Sequence, residues 1–254
     1  AFIKAHQDSP FFIYLPHSMP HIPLYVPDDI RDPDPKNAYI NTIEHIDTEV
    51  GRLLDAVDQF NLSDNTYVIY TTDNGPWLQF KHHGGSAGPL RAGKGTTFEG
   101  GQRVPCLIRG PGIPAGTVCD QLTGTIDVLP TIAAITGTAL PEDKKIDGMD
   151  VTGLWEGTAD QSPRNEFIHY TSVGKLEGLR QGDWKLLVKQ ASSRRNQQGE
   201  KKPPQMMLFD LKNDLSEQNN LAGQYPEIVQ KLRKRMETLD QEITINARNP
   251  WIKN

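Results

Sequence analysis

Three stretches of the sequence hold side chains whose types and spacing could do chemistry together. In "VIYTTDNGPW" (68–77) an apolar run stops at Asp73, Asn74 and Gly75. A carboxylate beside an amide carbonyl suits a hard cation such as Ca²⁺ or Mg²⁺ better than zinc. Asn-Gly is also a turn signal in its own right, and two oxygens are not a coordination shell, so "DNG" alone reads first as a turn. In "GPLRAGKGTTFEGG" (88–101), Gly88, Gly93 and Lys94 match the first part of a phosphate-binding P-loop. Gly95 stands where that motif needs a hydroxyl, "FKHHGGSA" upstream is no strand and "TTFEGG" is no helix, so the P-loop reading fails. What survives is a lysine on a glycine-rich loop that an anion can approach closely. In "PHSMPHIPLY", His21 stands between prolines that stiffen its position. Asp73 and Asn74, Lys94 and His21 together offer a cation site, a fixed positive charge and a titratable imidazole. That set suits transfer of a tetrahedral, charged oxyanion group, in which positioning and charge neutralisation dominate.

The elements that must hold these residues can be read from periodicity. Phe11–Leu15 is a short, wholly apolar run after a Ser-Pro turn, consistent with a buried strand. Ile43, Ile46, Val50, Leu53, Leu54, Val57 and Phe60 recur at helical spacing, so a helix is expected over 38–60. Tyr67–Thr72 is a second strand. Strand, crossover helix and strand make a βαβ unit and imply a parallel sheet, whose ligands sit beyond the carboxyl ends of its strands. Asp73 and Asn74 lie at such an end, and His17 and His21 follow the first strand. Val104–Ile108 is a further strand, and 127–136 a helix with Pro130 in its first turn and Gly137 past its end. Beyond a boundary at 155–165 the texture changes to short strands at 167–171, 184–189 and 206–211, the mark of a small antiparallel sheet. A final helix begins at Pro226 and carries Ile228, Leu232, Met236, Leu239 and Ile243.

Composition narrows the function classes. The 254 residues are 36% hydrophobic and 23% charged, with 22 Gly and 19 Pro, which describes a loop-rich globular chain able to bury a core. Lys and Arg number 27 against 32 Asp and Glu, and the net charge of −5 argues against a nucleic-acid partner. The basic cluster "SSRRNQQGEKK" (192–202) lacks aromatics and reads as a solvated loop. No apolar run is long enough to span a membrane. Cys106 and Cys119 have no metal-ligand spacing and read as core thiols, with a single bridge as the alternative. Asn61-Leu62-Ser63 is a lone glycosylation-type triplet. "AFIKAHQDSPFFIYL" has neither an initiator Met nor a signal peptide, and Phe2 and Ile3 resemble the tail of a helix begun upstream. The sequence is expected to be the later part of a longer protein.

"FFIYLPHSMPHIPLY", "YTTDNGP" and "GPLRAGKGTTFEGGQRVPCLIRGPG", in this order and spacing, resemble the formylglycine-dependent sulfatases of the alkaline-phosphatase superfamily. "TIDVLPTIAAITG", "DGMDVTGLWEG", "RQGDWKLL" and "LFDLKNDLSEQNNLA" continue the resemblance almost to the end. It implies an α/β fold: a mostly parallel, alkaline-phosphatase-like sheet flanked by helices over 1–160, then a smaller antiparallel α+β subdomain over 161–254. It implies that Asp73 and Asn74 are metal ligands, for Ca²⁺ with Mg²⁺ as the alternative. Lys94 would bind the sulfate near the leaving oxygen, and His21 would contact the sulfate and protonate the leaving alcohol. Glu99 and Arg103 would hold the loop, while His17, His82 and His83 map onto no role.

One departure matters. The family's nucleophile is a Cys or Ser in Cys/Ser-x-Pro-x-Arg, oxidised to formylglycine, and that motif does not occur. Cys106 is followed by "LIR" and Cys119 by "DQL", and Ser18-Met19-Pro20 has Ile22 where the Arg belongs. The first pair of acidic ligands and the companion Arg, Lys and His are missing too; in the family they precede the part matched. The resemblance therefore implies an intact protein that hydrolyses a sulfate ester on a small molecule or carbohydrate, exported like many relatives. Two alternatives stay open: a phosphodiester or phosphonate hydrolase of the same superfamily, or a non-catalytic, metal-binding fragment. The piece by itself is expected to be inactive.

Overall fold

The computed structural model describes residues 1–189 and 205–248; the basic stretch 192–202 lies outside them. A one-turn helix, α1 (Phe2–Ala5), is followed by turns and extended backbone up to helix α2 (Ala38–Gln59). The apolar stripe of α2 buries Ile46 and Val57, with Thr42 closing the same face through a hydroxyl bond to Ala38 O at 2.7 Å. The helix ends where Asn61 turns left-handed (φ 56°), which lets the Leu62 N–H donate to Val57 O at 3.0 Å.

Strand β1 (Val68–Thr71) leads into a long excursion that contains a single-turn helix, α3 (Glu99–Gln102), which begins within the "TTFEGG" segment read as non-helical from sequence. The chain then returns along β2 (Cys106–Arg109), which pairs antiparallel with β1 from Val68↔Arg109 to Thr71↔Cys106. The expected βαβ unit does not form among the described residues. Phe11–Leu15 is extended but unpaired, and Phe12 and Tyr14 are 73% and 79% exposed. An apolar run becomes a strand only beside a neighbour that supplies ladder partners. The sole partner of β1 here is the returning chain, so this pair is a ribbon and not a parallel crossover. Both cysteines are free and exposed among the described residues rather than core thiols: Cys106 opens β2 and Cys119 lies in the loop that follows it.

Helix α4 (Val128–Thr136) is fixed at its start by Asp127, whose buried carboxylate accepts from the Gly124 and Met149 N–H groups, both at 2.8 Å, and pairs with Arg164. Burial pushes the Asp127 carboxyl up, but Arg164 and those two N–H donors outweigh it and hold the pKa below the usual carboxylate range. Gly137 ends α4 in the left-handed conformation expected of a C-terminal glycine (φ 65°). After α5 (Thr152–Trp155) come β3 (Glu166–Tyr170), β4 (Leu176–Gln181), β5 (Trp184–Lys189) and β6 (Gln205–Asp210). They form an antiparallel sheet in sequence order, followed by helix α6 (Pro226–Ile245). The chain thus has the α/β character of its class and the expected antiparallel C-terminal subdomain. Strand β4 was not visible in the sequence because Gly178 interrupts its apolar pattern. A Cβ there would sit 2.5 Å from the Leu187 side chain, so the gap in the pattern is itself a packing contact.

Both faces of this sheet are covered. Leu179, Leu186 and Leu208 pack on Val229, Leu232 and Met236 of α6, while Leu187, Met207 and Phe209 face the other way, toward Phe98. The alternation along β5 is strict: Trp184, Leu186 and Val188 belong to the helix side, Lys185, Leu187 and Lys189 to the side of Phe98. That second side is where the glycine-rich lysine loop lies. No helix among the described residues is long and apolar enough to cross a membrane.

Candidate active site

The carboxyl end of β1 delivers Asp73, Asn74 and Gly75. The glycine is not there for a hairpin turn: its φ is not positive, and β1 does not pair with the segment that follows. It is there for close approach. The Gly75 N–H donates to Gly101 O at 3.2 Å, and a Cβ at Gly75 would lie 1.8 Å from Gly100 O. The "DNG" turn is thereby pressed against α3 by backbone alone. Asn74 donates from Nδ2 to Gly75 O at 2.9 Å, so its amide oxygen is not spent on that bond, and the preceding Asp73 is exposed.

The lysine loop meets the same segment. The Lys94 N–H donates to Pro76 O at 2.9 Å, and a Cβ at Gly93 would lie 2.3 Å from that carbonyl. Ala92 and Gly95 flank the pair with positive φ (60° and 83°), so the loop turns sharply on each side of Gly93-Lys94. The Lys94 ammonium then reaches over the indole of Trp77, 5.0 Å from the ring centroid. The His21 ring packs on the same indole from another direction, with centroids 5.7 Å apart. Its Nδ1 lies 2.8 Å from Ile22 O, an acceptor, so the proton of the neutral ring sits there and Nε2 is free. Lys94 and His21, distant in sequence, therefore share one wall at the end of the strand that carries Asp73 and Asn74.

Other histidines and acids do not join them. His83 Nε2 is 2.7 Å from Pro35 O, and His17 and His82 are exposed. Among the described residues no three or more His, Cys, Asp or Glu side chains cluster as a metal cage. Asp73 and Asn74 supply hard oxygen donors of the right chemistry for Ca²⁺ or Mg²⁺, but only two of the six to eight or so that Ca²⁺ takes.

The loop that carries Lys94 is fastened from below by the C-terminal sheet. Lys185, fully buried, bridges Glu99 at 2.8 Å and Glu217 at 2.9 Å. Glu217 also accepts from the Glu99 N–H at 2.7 Å, and its backbone carbonyl accepts from Arg91 at 2.6 Å. Burial pushes the Glu217 carboxyl up, with Lys185 acting against the shift. Lys189 reaches Thr97 at 2.7 Å and Glu177 at 2.6 Å. Arg91 and Lys189 both lie over the Phe98 ring, 4.1 Å and 4.8 Å from its centroid. Glu99 thus holds the loop by its side chain. Arg103 is exposed and, among the described residues, gives only its N–H, to Glu99 O at 2.8 Å. The sequence held no sign of Glu217 or Lys185. A "K-L-K" alternation on a strand looks like a solvent face, and only the covering loop makes it an anchor. Trp77 likewise belongs to no motif in the sequence.

Comparison with known proteins gives a consistent result. Residues 1–138 match the family model described as Sulfatase, and residues 162–250 that described as the C-terminal region of aryl-sulfatase. Human arylsulfatase A is 34% identical over 248 residues, covering 90% of this chain and 48% of that protein. A solved structure from work on glycosaminoglycan metabolism by Bacteroides thetaiotaomicron superposes with a TM-score of 0.82 at 26% identity, over 94% of this chain and 52% of the other. The structure of Ps i-CgsB in complex with k-i-k-neocarrahexaose superposes at 0.78 with 27% identity, over all of this chain and 55% of the other. The chain spans about half the length of the curated arylsulfatase it matches.

Proposed function

Because the chain belongs to the sulfatase family, we propose that the whole protein hydrolyses a sulfate ester and that this chain supplies the second half of its active site. One observation carries the reading: Lys94 and His21 both stand against Trp77, three residues beyond Asn74. Asp73 and Asn74 would hold a divalent cation, Ca²⁺ or Mg²⁺, and a cation there neutralises charge on the sulfuryl oxygens. Lys94 adds a fixed positive charge beside the leaving oxygen. The Nε2 of His21, the ring nitrogen not turned to Ile22 O, is the atom through which a proton would pass to the departing alcohol. The formylglycine expected of the family is no residue of this chain, since neither cysteine stands in the required motif. Residues 1–254 alone should therefore show no turnover.

The division of labour falls near residue 160, with 1–160 carrying the site residues and 161–254 the supporting sheet. The substrate in this reading is a sulfated carbohydrate or aryl sulfate. The glycosaminoglycan context of one structural neighbour and the neocarrahexaose bound to another favour the carbohydrate. Export from the cytoplasm goes with this assignment. A phosphodiester or phosphonate substrate would use the same cation and lysine, and assay of the whole protein on paired sulfate and phosphate esters separates the two. The deciding measurement is Lys94→Ala in the full-length protein, expressed with its maturation enzyme. Sulfate-ester turnover should fall by well over tenfold, roughly the effect of removing one charge-stabilising donor; a smaller loss ends the assignment.

A further inference from the structure

Trp77 is neither a cation ligand nor a proton donor in this chemistry, yet it touches both side chains proposed to act on the sulfate. Lys94 Nζ lies 5.0 Å from the indole centroid, the His21 ring 5.7 Å away at 52°, and the Phe80 ring 4.6 Å away, edge-on. The backbone beneath the indole is clamped from two sides. A Cβ at Gly84 would come within 2.1 Å of Trp77 O, and one at Gly93 within 2.3 Å of Pro76 O. Among the described residues neither a hydrogen bond nor an ion pair holds the Lys94 ammonium, so the aromatic face is its contact. A lysine has four rotatable bonds, and an unpaired one samples many rotamers unless something attracts its cation. The same ring limits the His21 imidazole, whose Nδ1 is already turned to Ile22 O.

We propose that Trp77 is a positioning residue: its indole holds the Lys94 ammonium and the His21 imidazole in one fixed relation, so that charge neutralisation and proton donation fall on the same sulfuryl group. The proposal rests on the sulfatase chemistry assigned to Lys94 and His21. Misplacing a reacting group degrades the transition state more than binding, so the effect belongs in kcat rather than KM.

The test uses the full-length, matured protein. Trp77→Leu should lower kcat roughly tenfold, while KM moves less than about threefold. Trp77→Phe, which keeps a ring face, should recover most of the loss. In a Lys94→Ala background, Trp77→Leu should cost less than it does in the parent, because one of the two groups it positions is gone and only the His21 contribution remains. Separately, reductive ¹³C-methylation of lysines should show a Lys94 resonance displaced by the indole ring current, and Trp77→Leu should move that signal alone. A kcat per folded molecule that is unchanged, or a loss that multiplies fully with Lys94→Ala, overturns the proposal. So does a Lys94 signal that Trp77→Leu leaves in place. If Trp77→Leu does not fold, Trp77→Gln, which is planar but has no aromatic face, makes the same comparison with and without Lys94→Ala. A Lys94→Ala enzyme that keeps its turnover is a different failure: it removes the sulfatase assignment, and the methyl signal still decides whether Trp77 holds Lys94.

Discussion

The β1–β2 ribbon and the β3–β6 sheet are both antiparallel, yet they are stabilised in opposite ways. The sheet is covered on each face, and Leu179, Leu186, Leu187 and Leu208 are fully buried. In the ribbon Leu107 is 64% exposed, and the strand end that carries Asp73 and Asn74 is held by glycine contacts and carbonyl hydrogen bonds. The site thus sits on the half with little apolar burial, and its geometry is borrowed from the half that has much. The borrowing runs through Lys185, Glu99 and Glu217.

That contrast can be broken at its strongest link. Lys185→Met would leave the buried Glu217 carboxylate without a counter-charge and Glu99 with only Arg180, 3.7 Å away, and should cost about 3–5 kcal/mol in denaturant unfolding. The loss should exceed that of any surface ion-pair change, such as Arg233→Ala on the half-exposed Arg233–Glu237 pair, expected at roughly 0–1 kcal/mol. A second comparison sharpens the same difference. Leu208→Ala, in the sheet, should cost about 2–5 kcal/mol, whereas Leu107→Ala, in the ribbon, should stay within roughly 0.5 kcal/mol. Equal losses would mean that the ribbon is packed as tightly as the sheet.

The effect that is smallest at neutral pH emerges only on acidification. His169 is buried on β3 with both ring nitrogens unpartnered among the described residues. Burial first, then the neighbouring Lys185, Arg180 and Lys189, push its pKa down to about 3. The unfolded chain takes up a proton near pH 6.5 and the folded one does not. This residue's contribution is therefore undiminished above that pH and is lost progressively as pH falls from about 6.5 to 3, at up to about 1.4 kcal/mol per unit. His169→Phe should flatten the acid limb of stability over that window while changing little at pH 8. An acid limb of the same slope in both proteins would show that His169 is not its source.

Much of the scaffold was legible because its signals are local. The helix expected at 38–60 is found at Ala38–Gln59, and "WKLLVK" forms β5 from end to end. Pro226 begins α6, and Gly137 ends α4 as its place in the sequence required. What failed depended on neighbours. Phe11–Leu15 has the composition of a buried strand, but pairing is a property of two segments, not one. Cys106 and Cys119 were assigned to a core on residue type alone, and the chain's path leaves them outside. In the site, Asp73, Asn74, Lys94 and His21 could be named from motif and resemblance, and their roles remain for the Lys94→Ala and Trp77 experiments to test. Trp77, Lys185 and Glu217 could not be named. Each matters through contacts that span distant parts of the chain, and none has a motif.

Strand β5 ties two surfaces to a single count of residues. Its even-numbered side chains are greasy pegs for α6, and two of its odd-numbered ones are ammonium tethers for the lysine loop. Removing one residue from the Gly182-Asp183 turn that precedes it would exchange the two sets, driving ammonium groups into the helix interface and leucine against buried carboxylates. The grip on the lysine loop and the seat of the final helix are therefore one property, inherited or lost together in any insertion or deletion at that turn.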